Sequence, residues 1–576
     1  MKNHGRAKLG LSPRLGRSLA LPGVSPAMKR LIAGGLLLLI AAIAVFLWRQ
    51  NQMPVSSSQL APADCLVYIE LPNLIQTAKR WPETALCQIL GEPSVQRFLR
   101  QPVSKIPKSY QSVCASVQTL RCSALFFGIT DPNGQSWICG FQTSADQRVW
   151  RREISNISAV LFGQAVHVME PADYQQPGPR PSEGGRNGAF TYCAQFGSWI
   201  LLSRTADLLM EASRNAKAAS GGLQSVNLFQ ECRANVKEGY DILCFVRGRP
   251  SIDLSRGLRW RFREDESQDT PRAMLATTAI DGTQLRDTVF TLTDKPAPVA
   301  PLDRKGLAMT SPTTIGYLVS RVNLSEIWRR CDELSRDWPI AKTIRDYLGE
   351  VKSFGIEMHE LDALLSYIEI VIDRDPQADS LNAAFSAEIT DPEKFQHFID
   401  QIVMEKFPDR SRRIEVASVP AYVIQLNGNT PLICGLVGRQ LLVALTRSEF
   451  AELVHRLQSH SAGLENNAQF KGITKLVHEP ADLVVYLDAK AAFDSLYEAF
   501  RPMLVFGVAL IPALNQYIDA MTFPETGEVS KHLSPIVLSQ YRVAHGVVDE
   551  SVGPITAYDA FALISGGAVA MGLLGH

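Results

Sequence analysis

The sequence predicts an α+β fold in three parts: an N-terminal transmembrane helix, two tandem related α+β domains made of antiparallel sheets with helix pairs, and a C-terminal helical and tail region. Three observations lead to this prediction. Residues 31–48 form an apolar run without a charge, and residues 197–241 align with residues 438–482 without a gap. In both halves, short strand-like runs are mixed with helix pairs, which is typical of the α+β class.

Length and composition set the limits within which these elements fold. The chain has 576 residues, too many for one hydrophobic core, so at least two domains are expected. Its hydrophobic fraction of 46% and charged fraction of 20% are ordinary for a globular protein. Lys+Arg and Asp+Glu both number 58, which gives a formal net charge of zero. This balance provides no bulk attraction to nucleic acid, and no nucleic-acid partner is predicted.

The N-terminal region is basic and then apolar. The first acidic residue of the chain is Asp64. As a helix, residues 31–48 would be about 27 Å long, close to the hydrocarbon thickness of a bilayer. The rival interpretations are a cleaved signal peptide and a buried helix. The long basic stretch before the run, with Trp48 and Arg49 at its end, favours an uncleaved anchor whose basic side stays in the cytoplasm.

The rest of the chain divides by composition and by repetition. The predicted segments are a basic cytoplasmic tail (1–30), a transmembrane anchor (31–48), a polar stalk (49–61), a first α+β repeat (62–293), a Pro-rich linker (294–311), a second α+β repeat (312–490), and a C-terminal helix with an apolar tail (491–576). The apolar tail either docks on the protein or touches the membrane, and its composition favours docking.

A tandem duplication is the strongest internal signal. One offset of 241 residues pairs Gly197 with Gly438 and Asp241 with Asp482, with strand, helix, Gly-Leu break, helix and strand recurring in the same order. Chance does not supply such a series, so the two halves are predicted to be copies of one fold. Each half is also predicted to open with a strand and an Asn-capped helix, at Asn73 in the first half and at Asn323 in the second.

Two further expectations concern the first half. The runs Ala165–Met169 and Ala189–Phe196 are predicted to form a hairpin around a Pro/Gly-rich loop, because the second half makes the same connection through a short turn. Five cysteines lie in apolar, strand-like runs and are expected to be free and buried: Cys65, Cys139, Cys193, Cys244 and Cys434. Cys114 and Cys122 are close enough in sequence for a bridge, which sequence alone does not establish.

Motifs that carry chemistry are missing. The chain has no GxxxxGK[ST], GxGxxG or GxSxG pattern, and His359-Glu360 is followed by Ala363 where a zinc-protease motif needs its second histidine. We therefore predict no catalytic residue, no cofactor and no metal ligand. Two acidic pairs could serve acid–base chemistry or simply face solvent in turns: Asp373 with Asp375, and Asp549 with Glu550.

The most unusual local feature is a row of alternating arginines. Arg256, Arg259, Arg261 and Arg263 are interleaved with Leu, Trp and Phe, so a strand would carry Arg259, Arg261 and Arg263 on one face. One interpretation is an amphipathic edge strand that its charges protect from aggregation. The other is a contact site for lipid headgroups or an anionic polymer, which makes these four arginines the candidate site residues.

The repeat opens with Pro-Ala-Asp and an apolar strand containing a Tyr, followed by a Trp-containing helix with Trp81 in the first half and Trp328 in the second. In this pattern the chain resembles membrane-anchored envelope proteins of planctomycete and verrucomicrobial bacteria, with cyanobacterial relatives, that carry a tandem domain of unknown function. The resemblance covers most of residues 60–500. It implies a single-pass protein of the bacterial inner membrane, with a cytoplasmic N-terminus and most of the chain periplasmic, and it brings no catalytic residues.

Two function classes follow from the sequence. The first is a non-enzymatic envelope scaffold or binding protein whose partners are the membrane and a protein or polymer. The second is an envelope hydrolase with a site in a cleft between the two repeats. Buried carboxylates or histidines that converge in a pocket would favour the hydrolase, and a shallow groove would favour the scaffold.

Overall fold

The computed structural model describes residues 55–99, 108–132, 134–161, 163, 165–169, 190–218, 221–253, 259–263, 272–293, 302, 304–321, 323–335, six positions within 342–352, 357–375, 380–400, 408–409, 411–425, 431–459, 463–497, 501, 519 and 522–556. The chain divides into two units, residues 1–56 and 57–576. Every described helix and strand lies in the second unit.

The strands are β1 (Val67–Leu71), β2 (Ala124–Ile129), β3 (Trp137–Gln142), β4 (Ala165–Val168), β5 (Phe190–Phe196), β6 (Trp199–Ser203), β7 (Ile242–Arg247), β8 (Arg249–Asp253), β9 (Arg259–Arg263), β10 (Ala273–Asp281), β11 (Gln284–Leu292), β12 (Thr314–Arg321), β13 (Leu365–Asp375), β14 (Ser380–Ile389), β15 (Ser411–Val416), β16 (Val419–Gln425), β17 (Pro431–Val437), β18 (Gln440–Ala444), β19 (Leu483–Leu487), β20 (Ile536–Val543) and β21 (Gly546–Gly553).

The helices are α1 (Ser57–Leu60), α2 (Leu74–Arg80), α3 (Ala85–Gly91), α4 (Pro93–Phe98), α5 (Lys108–Leu120), α6 (Gln147–Leu161), α7 (Ala206–Lys217), α8 (Asn227–Ala234), α9 (Leu324–Leu334), α10 (Met358–Leu364), α11 (Pro392–Phe398), α12 (Arg447–Ser459), α13 (Ala468–Thr474) and α14 (Thr526–Ser530). Short 3₁₀ turns occur at Trp81–Glu83, Leu223–Ser225, Lys305–Met309 and Leu464–Asn466.

One sheet contains nineteen of the described strands. Their pairings follow the order β4-β5-β6-β3-β2-β1-β7-β10-β11-β21-β20-β19-β12-β13-β14-β18-β17-β16-β15. Within the described part of the chain these pairings are antiparallel, apart from β4 with β5. The remaining strands, β8 and β9, form a separate two-stranded sheet.

The strand order is the same in both halves when it is followed outward from the centre of the sheet. The first half runs β11-β10-β7-β1-β2-β3-β6-β5, and the second runs β21-β20-β19-β12-β13-β14-β18-β17. The halves meet where β11 pairs with β21. The sheet is therefore built from two like halves joined through equivalent strands.

Both faces of each half are covered by helices. Alternate side chains of a strand point to opposite faces, so one strand contributes to a core on each side. On β2, Phe126 packs towards Tyr68, whose ring centroid is 6.0 Å from that of Phe229 on α8. The neighbouring residues Leu125 and Phe127 belong to a different core, with α5 and α6. In the second half, α12 and α13 cover one face and α10 and α11 the other.

Local sequence determines where the opening helices begin. Asn73 caps α2, and its side chain accepts a hydrogen bond from the amide of Gln76 at 3.0 Å. Such a cap pairs one of the amides that a helix N-terminus leaves unsatisfied. In the second half, Asp362 accepts from the amides of Leu324 and Ser325 at the start of α9.

The prediction of two separate tandem domains followed by a helical tail is wrong, because one sheet continues from the first half into the second. Strands β20 and β21 come from residues 491–576, the predicted tail, and occupy the positions that β10 and β11 occupy in the first half. The sequence comparison missed them because the segment between β19 and β20 is much longer than that between β7 and β10. This difference ends the constant offset between the halves.

No helix in the described part of the chain is long and apolar enough to cross a membrane. The longest of the described helices, α6, has fifteen residues and carries Arg151, Arg152 and Glu153 in its middle. The predicted anchor at residues 31–48 and the basic tail at 1–30 lie outside the described residues. The prediction of a single-pass inner-membrane protein with an N-terminal transmembrane helix is corrected by this finding.

The predicted hairpin of the first half is also wrong. Strands β4 and β5 are parallel, with Ala165 opposite Phe190 and Val168 opposite Cys193, whereas β16 and β17 of the second half form the expected antiparallel pair. A parallel pair needs a crossover connection and not a tight turn. The connecting residues 170–189, which include the whole Pro/Gly-rich loop, lie outside the described residues.

The cysteines on the strands are free. The five singled out in the sequence have no disulfide partner in the described structure: Cys65, Cys139, Cys193, Cys244 and Cys434. Cys122 is free as well. Burial raises the pKa of the Cys139 thiol to about 12, so this side chain packs as a small apolar group and not as a reactive thiolate.

The turns at Gly197 and Gly438 provide a test of the equivalence of the two halves. Both residues have positive φ, 59° and 63°, in the tight turns that follow β5 and β17. We expect Gly197→Ala and Gly438→Ala each to lower the free energy of unfolding by about 1 kcal/mol, because a Cβ is strained in this region of backbone space. Urea unfolding measures the loss. Gly91→Ala is the control. A Cβ there would also meet open space, but Gly91 does not have a positive φ. A loss in one half alone would contradict the equivalence.

Candidate functional site

The junction of the two halves is a seam of equivalent strands. Strand β11 pairs antiparallel with β21 from Leu285 opposite Gly553 to Leu292 opposite Gly546. Equivalent positions across the seam follow from the register. Ile242 and Leu483 are related by the offset of 241, and they pair with Thr278 and Gln540 in the next strands.

Continuing this correspondence along the hairpins makes Thr288 equivalent to Glu550. These two residues are also directly opposite each other across the seam. A residue that pairs with its own equivalent lies on a local two-fold axis, so a pseudo-two-fold axis passes between Thr288 and Glu550. Both side chains are buried, at 3% exposure each.

Glu550 is held from both halves of the chain. The ammonium group of Lys237, which follows α8, lies 2.7 Å from Oε1. The backbone amide of His478, which follows α13, donates to Oε2 at 2.9 Å. Lys237 and His478 are themselves equivalent through the offset of 241. The pseudo-symmetric loops therefore bind one carboxylate in two different ways, one by a side chain and the other by the backbone.

An aromatic pair completes the surroundings of Glu550. The imidazole of His478 lies over the ring of Tyr541, with 3.9 Å between ring centroids. The hydroxyl of Tyr541 donates to Oε1 of Glu550 at 3.5 Å. Burial, and then the negative charge of Glu550, raises the pKa of Tyr541 to about 12, so this phenol stays protonated and remains a donor at neutral pH.

A cavity of about 260 Å³ lies on the first-half side of the pseudo-two-fold axis. Among the residues that line this central cavity are Lys237, Tyr240, Thr277, Ala279, Arg286 and Thr288. Arg286 also forms an ion pair with Asp281 at 3.3 Å, and Asp281 is largely exposed. The cavity thus combines two cationic side chains with two acidic ones, Glu238 and Asp281.

A second polar cavity, of about 350 Å³, lies between the end of β13 and α12. Asp373 is on its wall, where it accepts from Arg456 at 2.5 Å and from Ser311 at 3.1 Å. Arg456 also contacts Glu452 and donates to the carbonyl of Met309 at 3.1 Å. This acidic residue, one of those that could serve acid–base chemistry, is therefore tied into a network that joins α12 to β13.

The predicted arginine site lies apart from both cavities in the strand order. Arg256 is outside the described residues, and Arg259, Arg261 and Arg263 lie on β9 of the two-stranded sheet. Cross-strand pairing sets Arg263 opposite Arg249, a residue that the sequence analysis did not include. The signal was available, since residues 249–253 also alternate polar and apolar side chains.

Sequence reasoning also missed the buried carboxylates that hold strands together. Asp241 accepts from Thr77 at 2.7 Å and from the amide of Ile280 at 2.8 Å. Its equivalent, Asp482, pairs with Arg542 at 3.1 Å. The recurrence of these aspartates directly before β7 and β19 was the available signal. In the sequence, Glu550 stands out only as one member of an acidic pair with Asp549.

Metal-binding geometry is absent from the described residues, since no three His, Cys, Asp or Glu side chains there could hold a metal ion together.

Comparisons with known proteins add little to this geometry. No protein-family model and no curated protein matches the chain. The chain is similar to a solved structure titled "Structure of crystal form I of TP0453", with 10% sequence identity and a TM-score of 0.23, over 43% of this chain and 82% of that one. Such a low TM-score carries no argument about fold or function. The resemblance to membrane-anchored envelope proteins stays a prediction.

The ion pair at the axis predicts a measurable coupling. Lys237→Met leaves the Glu550 carboxylate buried without its cation, and we expect a loss of about 2 kcal/mol in the free energy of unfolding. This is less than for a fully buried pair, because Lys237 is half exposed. The double variant with Glu550→Gln is expected to lose less than the sum of the single variants. Lys79→Met, an exposed lysine on α2, is the control. Strict additivity would contradict the coupling.

A second contact between the halves, an ion pair of Glu92, depends on pH. Glu92, between α3 and α4, contacts Lys531 at 2.8 Å and His532 at 2.6 Å. Hydrogen bonds from Lys531 and then His532 hold the pKa of Glu92 below its ordinary value of 4.5. This contact therefore stabilises the folded chain fully above pH 4.5, and the stabilisation is lost as the pH falls through the lowered pKa.

We therefore expect Glu92→Gln to be less stable than the parent at neutral pH and to lose less stability than the parent on acidification. Urea unfolding at about pH 7 and about pH 3 measures both effects. Glu83→Gln, an exposed neighbour, is the control and should behave like the parent. An unchanged pH dependence in Glu92→Gln would show that this contact is not formed.

Proposed function

We propose that this chain is a non-catalytic binding or scaffold protein that engages an anionic polymer. The observation that carries the proposal is the ribbon formed by β8 and β9, which is separate from the main sheet and rich in arginine. The ribbon follows β7 of the main sheet directly in the chain, and the two halves of that sheet are joined strand to strand.

The register of the ribbon collects the arginine positions on one side. In an antiparallel ribbon, directly opposed residues and every second residue along a strand share a face. The pairs Arg249–Arg263 and Asp253–Arg259 therefore lie on the same face, as does Arg261 opposite Ser251. Four arginine positions against one aspartate give this face a net positive charge.

The spacing of these positions favours a repeating partner. Successive same-face residues on a strand are about 7 Å apart, so three arginines on β9 form a regular row. A guanidinium binds carboxylate or phosphate through two parallel hydrogen bonds. A polymer with regularly spaced carboxylates or phosphates can pair with such a row at several points, which a single small anion cannot do.

The buried carboxylates support a structural use of the acidic groups in the body of the protein. Glu369, which is fully buried, accepts from the hydroxyl of Tyr317 at 2.7 Å, from the amide of Gly306 at 3.0 Å and from Gln440 at 3.2 Å. Glu153 accepts from Ser116 at 2.7 Å. These contacts join neighbouring elements, which is the use expected of carboxylates that stabilise a scaffold.

The alternative function, a hydrolase with its site in a cleft between the repeats, has no specific observation in its favour. At the junction of the described halves β11 pairs with β21, and the carboxylate there, Glu550, is bound by Lys237 and the amide of His478.

Retention on polyglutamate and polyphosphate columns tests the proposal. The full chain is expected to bind at low salt and to elute as salt screens the contact. A variant with Arg249, Arg259, Arg261 and Arg263 changed to alanine should elute at clearly lower salt.

The control for this experiment removes exposed cations elsewhere, with Arg148, Arg412 and Lys475 changed to alanine. Elution of the control with the parent would locate the contact in the ribbon, whereas co-elution of the ribbon variant with the parent would contradict the proposal. Anionic vesicles are tested in parallel. Ribbon-dependent binding to vesicles without binding to either polymer would identify lipid headgroups as the partner and would overturn the polymer assignment.

A further inference from the structure

The ribbon of β8 and β9 carries its charged positions unevenly along its length. At one end Asp253 is directly opposite Arg259, so opposite charges face each other across the two strands. At the other end Arg249 is directly opposite Arg263, so two like charges face each other. Opposite charges in such positions stabilise an antiparallel pair of strands, whereas like charges destabilise it. The register therefore balances the charge at the first end and concentrates positive charge at the second.

The positive end of the ribbon is the end that joins the main sheet. Arg249 begins β8 one residue after the end of β7. Acidic groups are also found near this end: Arg247 donates to the carbonyl of Ala63 at 2.7 Å, and the exposed Asp64 comes next in the chain. Residues 264–266, which are Glu-Asp-Glu, follow β9 in the chain and lie outside the described residues. Net charge alone therefore does not select an anion here, and the choice depends on the directly opposed arginines.

Two opposed arginines suit an anion with more than one charge and more than two oxygens. Directly opposed residues of an antiparallel pair have Cα atoms about 4.5–5.5 Å apart, so two guanidinium groups are close enough to bind one anion. A carboxylate has one charge and two oxygens, which a single guanidinium pairs with through two parallel hydrogen bonds. A phosphomonoester has a charge of about −1.5 to −2 at pH 7 and three strong acceptor oxygens. It therefore matches the pair in charge and in acceptors.

We propose that the anionic groups of the polymer are phosphomonoesters, one of which binds between Arg249 and Arg263. The proposal rests on the proposed function, because it specifies the chemistry of the polymer that the same ribbon engages. It explains why two arginines are opposed at a position where an acidic residue would stabilise the ribbon, as Asp253 does at the other end. Ser251, the next residue of β8 on the same face, adds a hydroxyl donor beside the pair.

Titration of two fluorescently labelled dextrans tests the proposal, one substituted with phosphomonoesters and the other with carboxymethyl groups to the same degree. Fluorescence anisotropy at fixed ionic strength measures the Kd of the full chain for each. Arg249→Ala should weaken binding of the phosphorylated dextran about tenfold and binding of the carboxymethyl dextran less than about twofold. Arg259→Ala is the matched control, because it removes the same charge from the same face at the Asp253 end. It should weaken binding of both dextrans by the same small factor.

Arg263→Ala keeps the test decisive if Arg249→Ala does not fold, and it should produce the same selective loss. Equal weakening of both dextrans by these two variants would overturn the phosphomonoester assignment and leave an anionic polymer as the partner. If binding of every polymer is independent of the ribbon, the proposed function itself fails. Vesicles of phosphatidic acid present the same phosphomonoester on a lipid. Binding to these vesicles that depends on Arg249, without binding to the phosphorylated dextran, would overturn the polymer as its carrier.

Discussion

Satisfying the backbone groups at a strand edge is the constraint on which the rest of this structure depends. An edge strand presents a row of unpaired amide and carbonyl groups, which attract another strand unless they are covered. Each half of the chain ends its strand order at such an edge, β11 in the first and β21 in the second, and each edge is paired with the other. The separation into two domains, natural for a chain of this length, gives way to one continuous sheet because this pairing satisfies both edges at once.

Joining two sheets in this way brings polar groups into the interior, and the structure pairs them. Glu550 lies on the pseudo-two-fold axis with a lysine from one half and a backbone amide from the other. Away from the axis, Thr278 donates to Asp287 at 2.7 Å, and the equivalent Gln540 donates to Asp549 at 2.6 Å. A buried charge without partners would cost several kcal/mol, so these contacts are a condition of the continuous sheet. The same requirement explains why acidic residues that looked like candidates for catalysis have structural partners.

Features that short stretches of sequence encode can be predicted from the sequence alone. The turns at Gly197 and Gly438 need positive φ, and each sits between the strands that its local pattern predicts. The partner of each strand cannot be predicted in this way, because the periodicity of a sequence shows which residues share a face of a strand and not which strands are its neighbours. The pairing of β11 with β21 joins distant parts of the chain, and a longer insertion hid the equivalence of β20 and β10. The apolar run at residues 31–48 predicts a membrane anchor by its length alone, and no described helix supports a membrane location.

The candidate sites likewise divide into features that one strand encodes and features that depend on strand pairing. The arginine row on β9 was visible as alternation within one strand, but its cross-strand partner Arg249 required the register. The central cavity was invisible in the sequence, since its lining comes from the loop before β7 and from β10 and β11, which only the strand pairing brings together.

The antiparallel pairing of equivalent strands has the geometry of an isologous homodimer interface. A chain with a single repeat would cover its last strand by associating with a second copy, and duplication followed by fusion makes that association intramolecular. Fusion also releases the interface from a restriction that symmetry imposes on every homodimer, namely that a residue on the axis must face itself. Two glutamates could not share that buried position without repulsion, and two threonines would leave Lys237 without a counter-ion. A fused chain, unlike a homodimer, can place glutamate on one side of the axis and threonine on the other.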